Sequence, residues 1–118
     1  MKNLLIVFIV LLSSQFAYSS GYVAPFDNEA TIDKVVMHDN GGVTLWITAM
    51  PKNPDSCTNS TLAYIKTDLT GRNNMVSAAL MAFAAKKKVG LWSSGCEILP
   101  FWGGTLTSPI INTLWVVD

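Results

Sequence analysis

The chain has 118 residues, of which 50% are hydrophobic and 14% are charged, and its eight basic side chains balance eight acidic ones. This length and apolar content fit one compact domain and exclude a multidomain protein and an intrinsically disordered tail. The lack of net positive charge excludes a protein that holds nucleic acid mainly by electrostatic attraction. We therefore expect one folded domain without a nucleic-acid partner.

The amino terminus has the pattern of a secretory signal peptide over residues 1–19. Lys2 precedes a nine-residue apolar run that begins at Leu4, and a polar stretch with small residues ends at Ser19. A helix that spans a bilayer needs about 20 residues, so this run is too short. Cleavage after Ser19 is favoured over the alternative, an uncleaved anchor. The sequence predicts a secreted or periplasmic domain over residues 20–118, without stable membrane insertion after cleavage.

Two cysteines, Cys57 and Cys96, form an even pair in a chain that we expect to reach an oxidising compartment. A disulfide between them is the default prediction. The alternatives are a metal site and a redox-active thiol pair. His38 is the single histidine, and no Cys-x-x-Cys spacing is present, so both alternatives have little support. We predict no bound metal and no cofactor.

The first predicted elements after the signal segment are the two arms of a β-hairpin. Residues 32–38 have a strand-like pattern, and residues 39–42 form a turn cluster whose glycines permit positive φ. The second arm covers residues 43–50, where alternate side chains point to the same side. We expect the buried side to consist of Val43, Leu45, Ile47 and Ala49.

A loop and a third strand follow the hairpin. Prolines and Asx residues mark a loop over residues 51–56, which leads to Cys57. The third strand is predicted at about residues 61–67, and a turn over residues 68–72 ends it.

The clearest predicted helix covers residues 75–88, which are rich in Ala, Leu and Met. Asn73 or Asn74 can cap its start, and lysines in its last turn complement the helix dipole. Helical spacing predicts a sheet-facing stripe of Val76, Ala79, Leu80 and Phe83.

The opposite side of this helix carries no charge before Lys86, which is unusual for a face in water. We predict a contact between subunits of a homo-oligomer there, formed by Ser77, Ala78, Met81 and Ala85. The alternative is that small alanines are simply tolerated on the surface.

Two further strands complete the predicted fold. Residues 89–94 form one strand, residues 97–108 a long loop, and residues 109–117 a last strand that is apolar on both faces and therefore covered on both. The order β-β-β-α-β-β is that of an OB-fold, a five-stranded Greek-key barrel with a helix at its bottom. We thus expect a mainly β, OB-like barrel with one α-helix and one disulfide. A ferredoxin-like sandwich would need a second helix, for which no segment remains.

At residues 75–96, an alanine-rich helix, a basic turn and a strand ending in Gly-Cys follow an Asn-Pro-x-x-Cys segment at residues 53–57. This pairing resembles small secreted proteins of Gram-negative bacteria, over roughly Ile32 to the end of the chain. The resemblance implies export and a disulfide. More distantly, the helix, the Trp-bearing strand, the loop and the final strand are similar to the B subunits of bacterial AB toxins, which are OB-fold pentamers that bind host glycans. The cysteines are placed differently from the cholera-type arrangement, so this similarity implies the fold more than the ligand.

The sequence contains no recognisable catalytic signature. His38 stands alone, no Gly-x-Ser-x-Gly spacing marks a nucleophile, and Gly103-Gly104 lacks the lysine of a phosphate-binding loop. Paired carboxylates could act as acid and base only if the fold brought two of them together, and their spacing does not single out a pair. We predict no catalytic residues and no enzymatic activity.

The aromatic residues favour a binding function. Phe101 and Trp102 occupy a Pro/Gly loop outside any predicted strand, and OB-folds commonly engage oligosaccharides through such loops. With Glu97 and Asn53 as polar neighbours, they form the predicted ligand site. The other tryptophans, Trp46, Trp92 and Trp115, are expected to be core or barrel-rim residues.

Two functional hypotheses follow from the sequence. The first is a non-enzymatic secreted or periplasmic binding module, similar to a ring-forming toxin B subunit, that recognises a glycan or a protein partner. The alternative is a monomeric structural or inhibitory periplasmic protein whose aromatic side chains are all core.

Overall fold

The computed structural model describes residues 20–99 and 104–118; the predicted signal peptide lies outside this range. Within these residues the fold is mainly β, with one helix. Its elements, in chain order, are β1 (Ser20–Ala24), β2 (Ala30–Thr31), β3 (Lys34–Met37), β4 (Val43–Trp46), β5 (Leu62–Ile65), α1 (Arg72–Ala85), β6 (Lys88–Ile98) and β7 (Thr107–Val117).

The seven strands form one sheet with the order β1-β6-β7-β5-β4-β3, and β2 also pairs with β6. Neighbouring strands are antiparallel, except that β5 meets β7 in parallel at Tyr64 and Ile110. The prediction of a mainly β fold with one helix and one disulfide is confirmed for the described residues. The prediction of a five-stranded barrel with the order β-β-β-α-β-β is wrong, because two additional strands precede the predicted set.

The additional strands arise at the amino-terminal side of the hairpin. β1 was not predicted and pairs with β6, with Tyr22 opposite Trp92. β2 (Ala30–Thr31) also precedes the strand predicted over residues 32–38 and pairs with β6, whereas β3 lies within that predicted strand and pairs with β4. Asp33 lies between β2 and β3, and its carboxylate accepts a hydrogen bond from the Thr48 N–H at 2.7 Å. The chain therefore pairs with β6 through β2 and, after Asp33, with β4 through β3.

The predicted hairpin is present as β3 and β4, joined by residues 38–42. Val43, Leu45 and Ile47 are buried as expected. Ala49 is exposed, because β4 ends at Trp46 and the strand alternation does not continue to residue 49.

The helix begins and ends three residues earlier than predicted. Its N-cap is Gly71, without a capping side chain, so neither asparagine caps it. Lys86 adopts the left-handed conformation that commonly ends a helix, and the other two lysines follow it. In the described part of the chain, no helix has the length and apolar character needed to cross a membrane.

The face of α1 that packs on the sheet also differs from the prediction. Met75, Ala79 and Ala82 are the buried residues of the helix. Leu80 and Phe83, which were expected to face the sheet, are 37% and 42% exposed. The two alanines have no side-chain atoms beyond Cβ, so the helix can approach the sheet closely and its larger side chains point outward.

The core lies between α1 and the inner faces of the strands. Fully buried aliphatic side chains come from β4, β5, β6 and β7 and from the residue after β4: Leu45, Ile65, Leu91, Ile111 and Ile47. Burial of each such side chain contributes roughly 1.5–3 kcal/mol. The prediction that both faces of the last strand are covered is wrong at Asn112 and Thr113, which are exposed. A register shift places them there, because Trp92 pairs with Thr113 but Ser93 pairs with Ile111.

The predicted disulfide between Cys57 and Cys96 is confirmed, with a Cα–Cα distance of 5.7 Å. It attaches the loop between β4 and β5 to β6. The Asn53 amide holds the same loop, since it accepts a hydrogen bond from the Cys57 N–H at 3.0 Å and donates one to the Cys57 carbonyl at 2.6 Å. Asp55 adds a contact with β6, where its carboxylate accepts a hydrogen bond from the Ser93 hydroxyl at 2.7 Å.

We expect the double variant Cys57→Ser/Cys96→Ser to lose about 4 kcal/mol of unfolding free energy, the chain-entropy contribution of a bridge that closes a loop of 39 residues. Urea denaturation of the oxidised protein and of the variant measures this loss. The reduced wild-type protein is the control and should unfold like the variant. A loss below about 1 kcal/mol would mean that the hydrogen bonds of Asn53 and Asp55 hold the loop without the bridge.

Candidate functional site

An open polar groove lies where the turn between β3 and β4 meets the ends of β5 and β6. Its volume is about 330 Å³, and we call it the polar groove; its lining consists of Asn40, Tyr64, Lys66, Thr67, Asp68, Glu97 and Ile98. A neighbouring cleft of about 350 Å³ shares Asn40 and Thr67 with it and extends to Arg72 and Asn73 at the start of α1. The two clefts therefore form one continuous polar surface.

The turn over residues 38–42 shapes one wall of the polar groove. The Gly41 N–H donates to the His38 carbonyl at 3.0 Å, and the Gly42 N–H donates to the Asn40 side chain at 2.8 Å. Gly41 has a φ of 92°, a conformation that favours glycine. A Cβ at Gly42 would overlap the Tyr64 hydroxyl, so glycine at this position allows the Tyr64 ring to pack against the turn.

Arg72 connects this turn to the helix. Its Nη2 donates to the Gly41 carbonyl, and its Nη1 donates to the Asn73 side chain at 2.9 Å. Its Nε is buried and has no hydrogen-bond partner among residues 20–99 and 104–118. Because Arg72 is the first residue of α1, its contact with Gly41 ties the turn to the start of the helix.

The floor of the polar groove carries an ion pair between Lys66 Nζ and Glu97 Oε1, at 3.7 Å. The two side chains are 31% and 38% exposed. A pair with this exposure contributes at most about 1 kcal/mol to stability, because water screens it. Both groups can therefore exchange this contact for hydrogen bonds to a ligand at little cost in folding free energy.

The donors and acceptors of the polar groove suit a polar, uncharged ligand. The Asn40 amide, the Lys66 ammonium and the Thr67 hydroxyl can donate, and the carboxylates of Asp68 and Glu97 can accept. Among residues 20–99 and 104–118, no three His, Cys, Asp or Glu side chains come together in an arrangement that could hold a metal ion.

The structure brings only part of the predicted ligand site to the groove. Glu97 lines it, whereas Asn53 does not and uses both polar atoms of its side chain to hold Cys57. Phe101 and Trp102 lie outside the described residues. Their role in ligand binding stays a prediction, as does that of Asn53.

Sequence reasoning missed most of the groove lining. Asn40, Lys66, Thr67 and Asp68 come from turns that carry no motif, and their distance from Glu97 along the chain gave no sign that they meet it. The predicted hairpin turn at residues 39–42 was a partial signal, because such turns often carry binding residues.

A separate cleft, apart from the two polar ones, contains two tryptophans that were expected to be core or rim residues. Trp92 and Trp115 are half-buried and line it together with Tyr22 and Phe26. Trp46, on another strand, is half-buried and lies beneath Lys34 Nζ, 4.9 Å from its ring centroid.

His38 begins the turn beside the polar groove, and its surroundings shift its pKa in the folded protein. Its Nε2 is 2.8 Å from the Thr44 hydroxyl, and Thr44 is fully buried. Burial lowers the pKa of His38 below 6.5, although the nearby Asp39 carboxylate acts in the opposite direction. The folded protein therefore holds this proton less tightly than the unfolded chain does.

We expect the unfolding free energy to be highest above pH 6.5 and to decrease as the pH falls below that value, through the lowered pKa of His38 in the folded protein. Urea denaturation between pH 7.5 and about 5 measures the decrease. The chain contains one histidine, so His38→Gln should remove the dependence in this range. An unchanged pH dependence in the variant would show that another group causes it.

The polar groove and the cleft that Trp92 and Trp115 line are described above by their lining residues and contacts. No protein-family profile, curated protein or solved structure matches this chain.

Proposed function

We propose that the protein is a non-enzymatic, secreted or periplasmic binding module that recognises a glycan in the polar groove. The observation that carries this proposal is the open cleft of about 330 Å³ in which Lys66 and Glu97 form a weak, half-exposed ion pair beside the Asn40 amide. Saccharide hydroxyls both donate and accept hydrogen bonds, so they can satisfy an ammonium, a carboxylate and an amide together.

The sheet has seven strands and is not a five-stranded barrel, but the pairing of its later strands resembles part of an OB-fold, and this partial likeness supports the location of the site. β3, β4 and β5 form an antiparallel meander, β5 pairs in parallel with β7, and β7 pairs with β6. β6 pairs in turn with β2, which lies just before β3 in the chain. In OB-folds, the loop between the first two barrel strands and the loop between the last two bind oligosaccharides. The corresponding segments here are the turn over residues 38–42 and the loop after β6.

The loop after β6 also contains the predicted aromatic part of the site. Glu97 lies near the end of β6, and Phe101 and Trp102 follow it within a few residues. Aromatic rings stack against the apolar faces of sugars, so these two rings would complement the hydrogen bonds of the groove.

The disulfide supports export of the protein. Such bridges form and persist in oxidising compartments, including the bacterial periplasm and the extracellular space. Together with the predicted signal peptide over residues 1–19, the Cys57–Cys96 bridge favours a secreted or periplasmic location.

The outer face of α1 supports self-association, as in a ring-forming subunit. Ser77, Met81 and Ala85 are exposed and Ala78 is half-buried, and the side chains of Leu80 and Phe83 elsewhere on α1 are also exposed. Between Arg72 and Lys86 the helix carries no charge, so contact with a second subunit would bury no unpaired charge.

We expect Glu97→Gln to weaken binding at least tenfold to the oligosaccharide that the wild-type protein prefers in an immobilised panel. The substitution removes an acceptor for sugar hydroxyls and leaves Lys66 unpaired. Isothermal titration with that oligosaccharide measures the loss, and the unfolding free energy should change by less than about 1 kcal/mol.

The matched control is the other ion pair, Lys87 with Asp118, at 2.6 Å and away from the groove lining. Asp118→Asn should leave binding unchanged. Absence of binding to any oligosaccharide in the panel, or equal binding by Glu97→Gln and the wild type, would contradict the proposal. A protein partner captured through the same groove would replace the glycan as the ligand.

We also expect light scattering to give a multiple of the single-chain mass, and Met81→Glu to shift it to the single-chain mass. The substitution would place a charge in an apolar contact between subunits. Met37→Glu is the matched control, because Met37 is 55% exposed and Met81 is 50% exposed, on different elements. If the wild-type protein is monomeric, this result would instead favour the alternative hypothesis of a monomeric structural or inhibitory protein.

A further inference from the structure

A cleft separate from the polar groove is formed on the side of the sheet that carries β1, β6 and β7. Its volume is about 250 Å³, and we call it the aromatic cleft; its lining consists of Tyr22, Phe26, Trp92, Asn112, Thr113 and Trp115. The aromatic cleft and the polar groove share no lining residue, so they are distinct.

The four rings of the aromatic cleft form three edge-to-face contacts and one stacked pair. Tyr22 is nearly perpendicular to Trp92 at 84° and to Trp115 at 88°, with ring centroids 4.7 Å and 6.0 Å away. Phe26 meets Tyr22 at 65° and stacks on Trp115, with centroids 4.4 Å apart. Strand pairing sets this arrangement, because Tyr22 is opposite Trp92 and Trp92 is opposite Thr113.

Trp115 is held by three contacts, with Gly90, Phe26 and Glu29. One face lies against Gly90, where a Cβ would overlap the indole ring, and Phe26 stacks on the ring. Its Nε1 donates a hydrogen bond to the Glu29 carboxylate at 3.3 Å. Trp115 is half-buried and lines the cleft, whereas Phe26, at 62% exposure, is the most open of the four rings.

The charges around the aromatic cleft favour a cation. None of the residues that line it is basic or acidic. Glu29 is in neither of the two ion pairs of the described residues, so its charge is not neutralised within that part of the chain. A hydrogen bond to a carboxylate polarises the indole, and the faces of aromatic rings attract positive charge.

We propose that the aromatic cleft binds a quaternary ammonium group, such as the head of choline. This group has no N–H to donate, so it is recognised by aromatic rings that surround it rather than by hydrogen bonds. Asn112 and Thr113, which the register shift between β6 and β7 exposes side by side, can bind the hydroxyl or ester of the ligand. The site does not depend on the glycan proposal, because it shares no residue with the polar groove.

The purified, disulfide-bonded protein is titrated with choline and with its neutral isostere, 3,3-dimethyl-1-butanol, while NMR follows the indole N–H signals. We expect choline to bind at least about tenfold more tightly than the isostere, which corresponds to about 1.4 kcal/mol. Glu29→Gln should weaken choline binding at least about fivefold and leave binding of the isostere unchanged.

Phe26→Leu should weaken binding of choline, whereas Phe83→Leu, an exposed phenylalanine on α1, is the control and should not. If Phe26→Leu does not fold, Glu29→Gln decides alone.

Phosphatidylcholine vesicles distinguish two sources of the same quaternary ammonium group. Co-sedimentation with the vesicles assigns a lipid headgroup, and choline binding without co-sedimentation assigns a free ligand. Equal affinity for choline and the isostere, no shift with either, or binding of glucose in place of choline would overturn the proposal.

Discussion

The pairing of β6 with three other strands is the interaction on which the rest of the structure depends. β1 and β2 lie along one edge of β6, and β7 lies along the other. Because side chains alternate along a strand, β6 sends Val89 and Leu91 into the core while it presents Trp92 to the aromatic cleft. Farther along, the same strand carries Cys96 of the disulfide and Glu97 of the polar groove.

The two candidate sites differ because the fold supplies them with different kinds of residue. The polar groove is built partly from the segments that follow strands, where side chains such as those of Asn40 and Lys66 reach water and can exchange partners. The aromatic cleft has three of its four rings on strands, where cross-strand pairing positions Tyr22, Trp92 and Trp115. The first arrangement suits a hydroxyl-rich ligand, and the second suits a compact cation.

Local sequence signals predicted the hairpin and the helix, but they did not predict β1 and β2 or how the elements pack. The glycines of the turn, the alternation through Val43 and Leu45, and the alanine-rich helix each depend on neighbours in the chain, and all three elements are present. The packed face of α1 depends instead on how closely the helix can approach the sheet. Phe83 was expected to face the sheet, but in the structure it is exposed and the smaller Ala82 is buried.

By itself, the sequence determined a mainly β fold with one helix and one disulfide. Periodicity and turn residues are signals between neighbours in the chain, and a chain with two cysteines offers one possible internal pairing. Only the tertiary structure decided that the chain changes partner strand at Asp33, that Lys66 meets Glu97, and that Tyr22 and Phe26 join Trp92 and Trp115. These contacts join residues far apart in the chain. They follow from strand register, which is a property of the whole sheet and leaves no local pattern.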